Sequence, residues 1–402
     1  MARAIILILV FASALNLKAQ RIQEIAKLSI DSSSTEIEIL MKNEIPDHVK
    51  LVGIGDVATW VKETQKFNTG LSAFLISKRS FKNLIFPADE WQIRPVNSYL
   101  RSASPIDTAV LDSLLKNYLP DNSYQSFEFR SFMFWLKKHN LSNPKNMVNV
   151  FGVQSTETIP HSYFLAAYIY PVDKVSGAKL ANKWDDFVFN HVDAYKDIEE
   201  WCLRMKQSNL SKEQKEMVKQ CEMDLAHNKS MLKVESMTQK FPVEVVNNYT
   251  SYTAKKILEI TTEKSIFFAP NSSVARSNFR SSRLIDDAAV TTVGKLLQLQ
   301  LKEDYYVCVS DAATIRLPLA DLATQSITID TLSGSEQIKN MLSQKDIYFR
   351  RSDKQLLQKF LPLTIGFIKG YNTTMVLDEG MAPADAVFIF KNVTEDLPFA
   401  MK

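Results

Sequence analysis

Glycine is scarce in this chain, with 10 among 402 residues, where average usage near 7% would supply roughly 28. Nucleotide-cradling loops depend most on glycine, and no stretch fits G-x-G-x-x-G or G-x-x-x-x-G-K-[ST]. No serine stands between two glycines as G-x-S-x-G requires. A dinucleotide site, a P-loop and a hydrolase nucleophile elbow are therefore excluded, and no cofactor is expected. Charge of one sign is lacking too: 48 basic against 45 acidic side chains leave a net +3. That balance does not build a phosphate-neutralising surface, so no nucleic acid is expected as partner. Histidine numbers 5, at His48, His139, His161, His191 and His227, and no pair has metal-site spacing such as H-E-x-x-H. The three cysteines, Cys202, Cys221 and Cys308, lack C-x-x-C spacing, and their odd number leaves at least one thiol free. Cys202 and Cys221 flank a break at Ser208–Ser211, where an oxidising compartment would permit a bridge; two buried, unpaired thiols are the reading taken.

What is present is apolar bulk: 46% of residues are hydrophobic and 23% charged, enough for a large core without staples. The N-terminus, MARAIILILVFASALNLKAQ, carries Arg3, an apolar run from Ala4 to Leu15 and a small residue at Ala19. Such a segment reads as a signal peptide over 1–19, too short to span a bilayer at roughly 20 residues. No later run is long and apolar enough to span, so a secreted or periplasmic protein is expected, with 20–402 as its folded domain. HVKLVGIGDVATW holds a buried strand from Val49 to Ile54 that ends at Gly55. Apolar spacing over 61–78 is helical, and FKNLIF returns to a strand. This β-loop-α-β order predicts an α/β fold with a mostly parallel central sheet flanked by helices, its strand C-termini offered to ligands. Phe127, Phe129, Phe132, Phe134, Trp135 and Leu136 form a helical stripe read as core. MVNVFGVQ is a further strand, and a helical insertion covers about 185–260, its second arm opened by the capping box Ser211-Lys212-Glu213-Gln214. The strand KSIFFAPN, the helix VGKLLQLQL and the strands DYYVCVSDAAT and DAVFIFKNV follow.

Five of these blocks, in this order, resemble the erythromycin esterase family. LVGIGDVATWVKE is similar to its first strand and the loop glycine-glutamate-x-x-histidine; FKNLIFPADEW to its second strand, which ends in glutamate. FMFWLKKHN followed by VNVFGVQ is similar to its tryptophan-leucine-arginine helix and tyrosine-glycine-x-aspartate strand. IFFAPNSSVAR resembles its histidine-asparagine-x-histidine loop, and DAVFIF its closing strand. The resemblance implies a carboxylic-ester hydrolase fold in which a histidine base, with glutamates and a second histidine, activates water against a lactone. This sequence departs at the positions that matter. Asp56 stands for the first glutamate, Thr59 for the first histidine and Pro87 for the second-strand glutamate. Pro270 and Ser273 stand for the two later histidines, with only Asn271 unchanged, and Gln154 replaces the aspartate.

Threonine, proline and serine supply no group that titrates near neutrality, and a positioned general base is worth about 10²- to 10⁴-fold, or roughly 3 to 5 kcal/mol. The inherited reaction is expected to be lost. Carboxylates stay close in sequence: Asp56, Asp89, Glu90 and Glu63. A raised-pKa acid beside an ionised neighbour runs hydrolysis without histidine, so Asp56, Asp89 and Glu90 are the catalytic candidates of an alternative reading. Ser272 and Ser273 lack an adjacent base and make poor nucleophiles. The expected cleft is lined by Asp56, Thr59, Glu63, Pro87, Asn271, Ser273 and Arg276, with no metal. Arg276, Arg280 and Arg283 would clamp an anion or else stand on an exposed polar loop, the second being the reading taken. Three functions compete: a pseudoenzyme that binds an unknown small molecule or protein, a hydrolase with relocated catalysis, and a scaffold without ligand.

Overall fold

The computed structural model describes residues 23–24, 37–38, 41–56, 62–119, 124, 126–153, 161–184, 191–235, 243–281, 289–319, 322–330, 347–350, 373–376 and 383–393. The signal segment, Thr59, Gln154 and Arg283 lie outside them. The strands in chain order are β1 (Gln23–Glu24), β2 (Leu51–Asp56), β3 (Asn83–Phe86), β4 (Asn149–Gly152), β5 (Ser265–Pro270), β6 (Asn278–Ser281), β7 (Ala289–Thr291), β8 (Tyr305–Leu319), β9 (Leu322–Asp330), β10 (Ile347–Arg350), β11 (Thr373–Val376) and β12 (Ala386–Val393). The large sheet runs β1-β10-β12-β8-β2-β5-β3-β4, and β9 pairs with β8. The six strands from β12 to β4 are parallel throughout, the α/β arrangement expected from the sequence. A small antiparallel sheet joins β11, β6 and β7.

Strands covered on both faces read as continuous apolar runs, and β2 and β5 do. Alternate side chains serve opposite cores: Val52, Ile54, Ile266 and Phe268 enter one, Leu51, Phe267 and Ala269 the other. The first core is roofed by α1 (Lys62–Arg79), α2 (Glu90–Arg101), α3 (Thr108–Tyr118) and α4 (Phe127–Ser142). On α1, Phe67, Leu71, Phe74 and Leu75 recur at helical spacing and are buried. The Phe67 ring lies 4.0 Å from that of Phe388 on β12, and burial of each such side chain is worth about 1.5–3 kcal/mol. The aromatic stripe of α4 is core, as expected, through Phe129, Phe132 and Leu136, although Phe127 at its first turn is exposed.

Between β4 and β5 the described residues form helices beginning at His161, earlier than the position near 185 read from the sequence. Its parts are α5 (His161–Phe164, a π-turn Leu165–Ile169 and Tyr170–Val172), α6 (Lys174–Trp184), α7 (His191–Lys206), α8 (Lys212–Glu235) and α9 (Val243–Ile260). The expected capping box forms: Ser211 N–H donates to Gln214 Oε1 at 3.0 Å, and Gln214 N–H donates to Ser211 Oγ at 3.2 Å. Residues from Tyr163 to Leu225 make a third core of their own. A one-turn helix α10 (Asn271–Val274) follows β5, and α11 (Val293–Leu301) covers the second core with α9. No helix among the described residues is long and apolar enough to cross a membrane.

Candidate functional site

Parallel strands open their C-terminal ends to loops, and here Asp56 ends β2 in register with Pro270, which ends β5. Asp56 is 4% exposed and accepts a hydrogen bond from Gln65 Nε2 at 2.7 Å. Gln65 comes from the first turns of α1, so the strand end and the returning helix are tied by one short contact. One turn further, Asn68 is fully buried, and neither atom of its side-chain amide has a hydrogen-bond partner among the described residues. Glu63 stands half-buried on the first turn of the same helix.

At the end of β5 the groups are engaged with backbone. Asn271 is 2% exposed and its Nδ2 donates to the Ser310 carbonyl of β8 at 2.6 Å. Ser310 Oγ in turn donates to the Gly55 carbonyl at 2.9 Å. Gly55 is required by this crossing: a Cβ there would sit 2.3 Å from Asn271 Oδ1 and 2.8 Å from Val274 Cγ2. Pro270 and Ser273 are half-buried, and Pro87 gives its carbonyl to the Tyr124 hydroxyl at 3.2 Å. None of these side chains transfers a proton at neutral pH.

The candidate acids after β3 serve the helix they start. Asp89 is the N-cap of α2, and its N–H donates to Gln92 Oε1 at 3.3 Å in a capping box. Glu90 accepts from Arg94 Nη2 at 3.3 Å and stands 3.9 Å from Lys256 Nζ. Strand β5 lies between β2 and β3, so the end of β2, which carries Asp56, and the end of β3, three residues before Asp89, are separated by two strand spacings, roughly 10 Å. Asp56 and Glu90 take different partners, Gln65 for the first and Arg94 with Lys256 for the second.

Arg276 corrects the sequence reading. It is neither a cleft residue nor part of an exposed loop: at 6% exposure it forks onto Asp385, itself fully buried, with Nη1 to Oδ1 at 3.1 Å and Nη2 to Oδ2. Nη2 also donates to the Tyr305 carbonyl at 2.8 Å, and Asp385 accepts from Val307 N–H at 2.8 Å. The pair fastens the segment after α10 to the N-terminal halves of β8 and β12, away from the strand ends that hold Asp56. A planar fork matched to a carboxylate suits a buried brace of this kind.

Sequence reasoning missed a second polar cluster, held between the 161–260 helices and α2. Asp224 on α8, 2% exposed, accepts from the Tyr168 hydroxyl at 2.5 Å, the Tyr252 hydroxyl at 2.5 Å and Gln220 Nε2 at 2.7 Å. Lys256 Nζ of α9 is 3.6 Å from Asp224 and completes the link to Glu90. Arg94 donates to Tyr163 at 3.3 Å, and the His227 ring stacks on Tyr252 at 5.0 Å. Burial, and after it the Asp224 carboxylate, pushes the Tyr168 and Tyr252 phenols far above their ordinary range, so both remain donors. Tyr249, next to Asp89, is raised by burial in the same way. A signal was legible: Asp224 falls among Val218, Cys221 and Leu225, the core face of α8. Among the described residues no three His, Cys, Asp or Glu side chains group as a metal site requires.

The sequence matches no family model and no curated protein. Solved structures share its fold. A structural-genomics protein from Bacillus cereus superposes with TM-score 0.68 at 13% identity, over 92% of this chain and 94% of that one. A succinoglycan biosynthesis protein gives 0.64 at 13%, over 91% and 93%. A histidine-to-asparagine mutant of the erythromycin esterase EreC, in its open conformation, gives 0.61 at 14%, over 90% and 95%. The erythromycin-esterase fold expected from five short blocks is the fold this chain adopts.

Proposed function

We propose that this is an exported erythromycin-esterase-like protein that has lost the family's acid-base catalysis and keeps the cleft at its strand ends for binding a small molecule or a protein partner. The observation that carries this reading is the end of β5. Where the resemblance places two histidines, the chain has Pro270 and Ser273, and the one retained side chain, Asn271, is tied to the Ser310 carbonyl. Water activation needs a titrating group at that place, and the strand end offers none. Binding has its own support in Asn68, whose buried amide, unpaired among the described residues, lies one turn beyond Gln65, the partner of Asp56, on α1. Such a group is disfavoured in a mere scaffold and is retained where a polar ligand or ordered water answers it.

The test is turnover of generic ester and lactone substrates by purified protein, beside Asp56→Ala. No hydrolysis above background is expected from either. Turnover that Asp56→Ala abolishes would establish the competing reading, a hydrolase working through Asp56, Asp89 and Glu90.

A further inference from the structure

Cys202 on α7 and Cys221 on α8 are 1% and 0% exposed, and their sulfurs face each other at 3.6 Å across the helical hairpin. Both belong to the core of the 161–225 helices, walled by Trp201, Ile198, Val218 and Leu225. The third thiol is in another part of the molecule: Cys308 is near the start of β8, within the large sheet, between Ile54 of β2 and Ala386 of β12. It reaches neither of the others while the sheet is intact, so only one pairing is open. No third ligand accompanies the two sulfurs among the described residues, which leaves sulfur–sulfur chemistry as what their juxtaposition provides. A disulfide needs about 2.05 Å between sulfurs, an approach of roughly 1.5 Å from the present contact and within reach of side-chain rotation.

We propose that Cys202 and Cys221 form an intrachain disulfide that staples the α7–α8 hairpin when the chain meets an exchangeable disulfide such as oxidised glutathione. One protein thiolate attacks a sulfur of the donor, forming a mixed disulfide and releasing one donor thiol. The second protein thiolate then attacks the protein sulfur of that mixed bond and releases the other donor thiol. Two protein S–H groups become one S–S bond, the donor disulfide becomes two thiols, and these take both protons. Burial, with the facing Cys202 thiol as a lesser cause, holds Cys221 protonated far above the usual thiol range. Thiolate attack is accordingly slow in the closed hairpin, and the bond forms while the helices are open, during folding.

The experiment uses the full chain in two arms: refolding in a glutathione redox buffer, and prolonged incubation of never-denatured protein with oxidised glutathione. Each arm ends in denaturing alkylation and non-reducing peptide mapping. The expected product has one alkylatable thiol, at Cys308, and a peptide pair joining Cys202 to Cys221. Cys202→Ser loses the cross-link, and its oxidised and reduced forms unfold alike. In the native sequence, closing a loop of roughly twenty residues raises the folded-to-unfolded ratio on the order of a hundredfold. The cross-link in either arm establishes the proposal. Three alkylatable thiols in both, or glutathione adducts on Cys221 without the cross-link, overturn it.

Discussion

Two polar regions lie on the same side of the sheet's strand ends, and they differ in how their polar groups are used. At β2 and β5, where the fold offers its loops to ligands, most groups hold backbone: Asn271 binds the Ser310 carbonyl, and Ser310 binds that of Gly55. Beneath the helices, titratable side chains bind one another, with Tyr168, Tyr252 and Lys256 gathered on Asp224. The first region has the location of an active site without its chemistry. The second has acids, bases and phenols, but they are engaged with one another and, through Arg94–Tyr163 and Lys256–Glu90, with α2. Location and residue type, taken singly, would each have pointed to a catalyst.

The largest expected effect comes from emptying the second region. Asp224→Ala leaves two buried phenols without their acceptor and the 10%-exposed Lys256 side chain without its nearest counter-charge. Breaking a buried charged network by removing one partner costs about 3–5 kcal/mol. The denaturant midpoint should fall accordingly, and limited proteolysis should cut first within 191–260. A loss below about 1 kcal/mol would mean that the cluster is solvated like a surface pair, and the contrast drawn between the two regions would be broken.

These regions were not equally legible in the sequence. Parallel strands announce themselves because both faces are buried, so the sequence reads strands at Val49–Ile54 and in KSIFFAPN from apolar, β-favouring and aromatic residues, close to the observed Leu51–Asp56 and Ser265–Pro270. Helix α11 and the capping box at Ser211 were legible because their signals are local. Arg276 was misread because its partner Asp385 is 109 positions away, and nothing in a serine-rich stretch marks an arginine as buried. The Asp224 cluster draws on α2, α5, α8 and α9, and only its acidic member, set on the apolar face of its helix, left a trace. The thinness of the motifs has the same origin: a fold persists at 13% to 14% identity because packing needs apolar volume at the right period, whereas chemistry needs particular groups.

A smaller effect of opposite sign is expected at the first region. Asn68 is fully buried with both amide atoms unpaired among the described residues, a state that costs about 1–3 kcal/mol relative to a satisfied or apolar group. Asn68→Leu should therefore raise stability by about 1–2 kcal/mol, read as a higher denaturant midpoint with unchanged slope. Affinity for whatever occupies the cleft should fall in the same variant. Higher stability with no loss of binding would favour the scaffold reading, and lower stability would show that an ordered water already satisfies the amide.

The smallest expected effect belongs to a residue at the edge of the second region. Glu90 follows Asp89, yet its carboxylate faces Arg94 at 3.3 Å and Lys256 at 3.9 Å, with 42% of the side chain exposed. Both pairs are long or half-solvated, and such pairs contribute about 0–1 kcal/mol. Glu90→Gln keeps the side chain's length and should lower stability by less than about 1 kcal/mol, with less loss still at high salt. The same variant discriminates chemically. A general acid or base would take about 10²- to 10⁴-fold of turnover with it, whereas an ion-pair partner takes almost nothing, so a large drop in any measured hydrolysis would move Glu90 from ion-pair partner to catalyst.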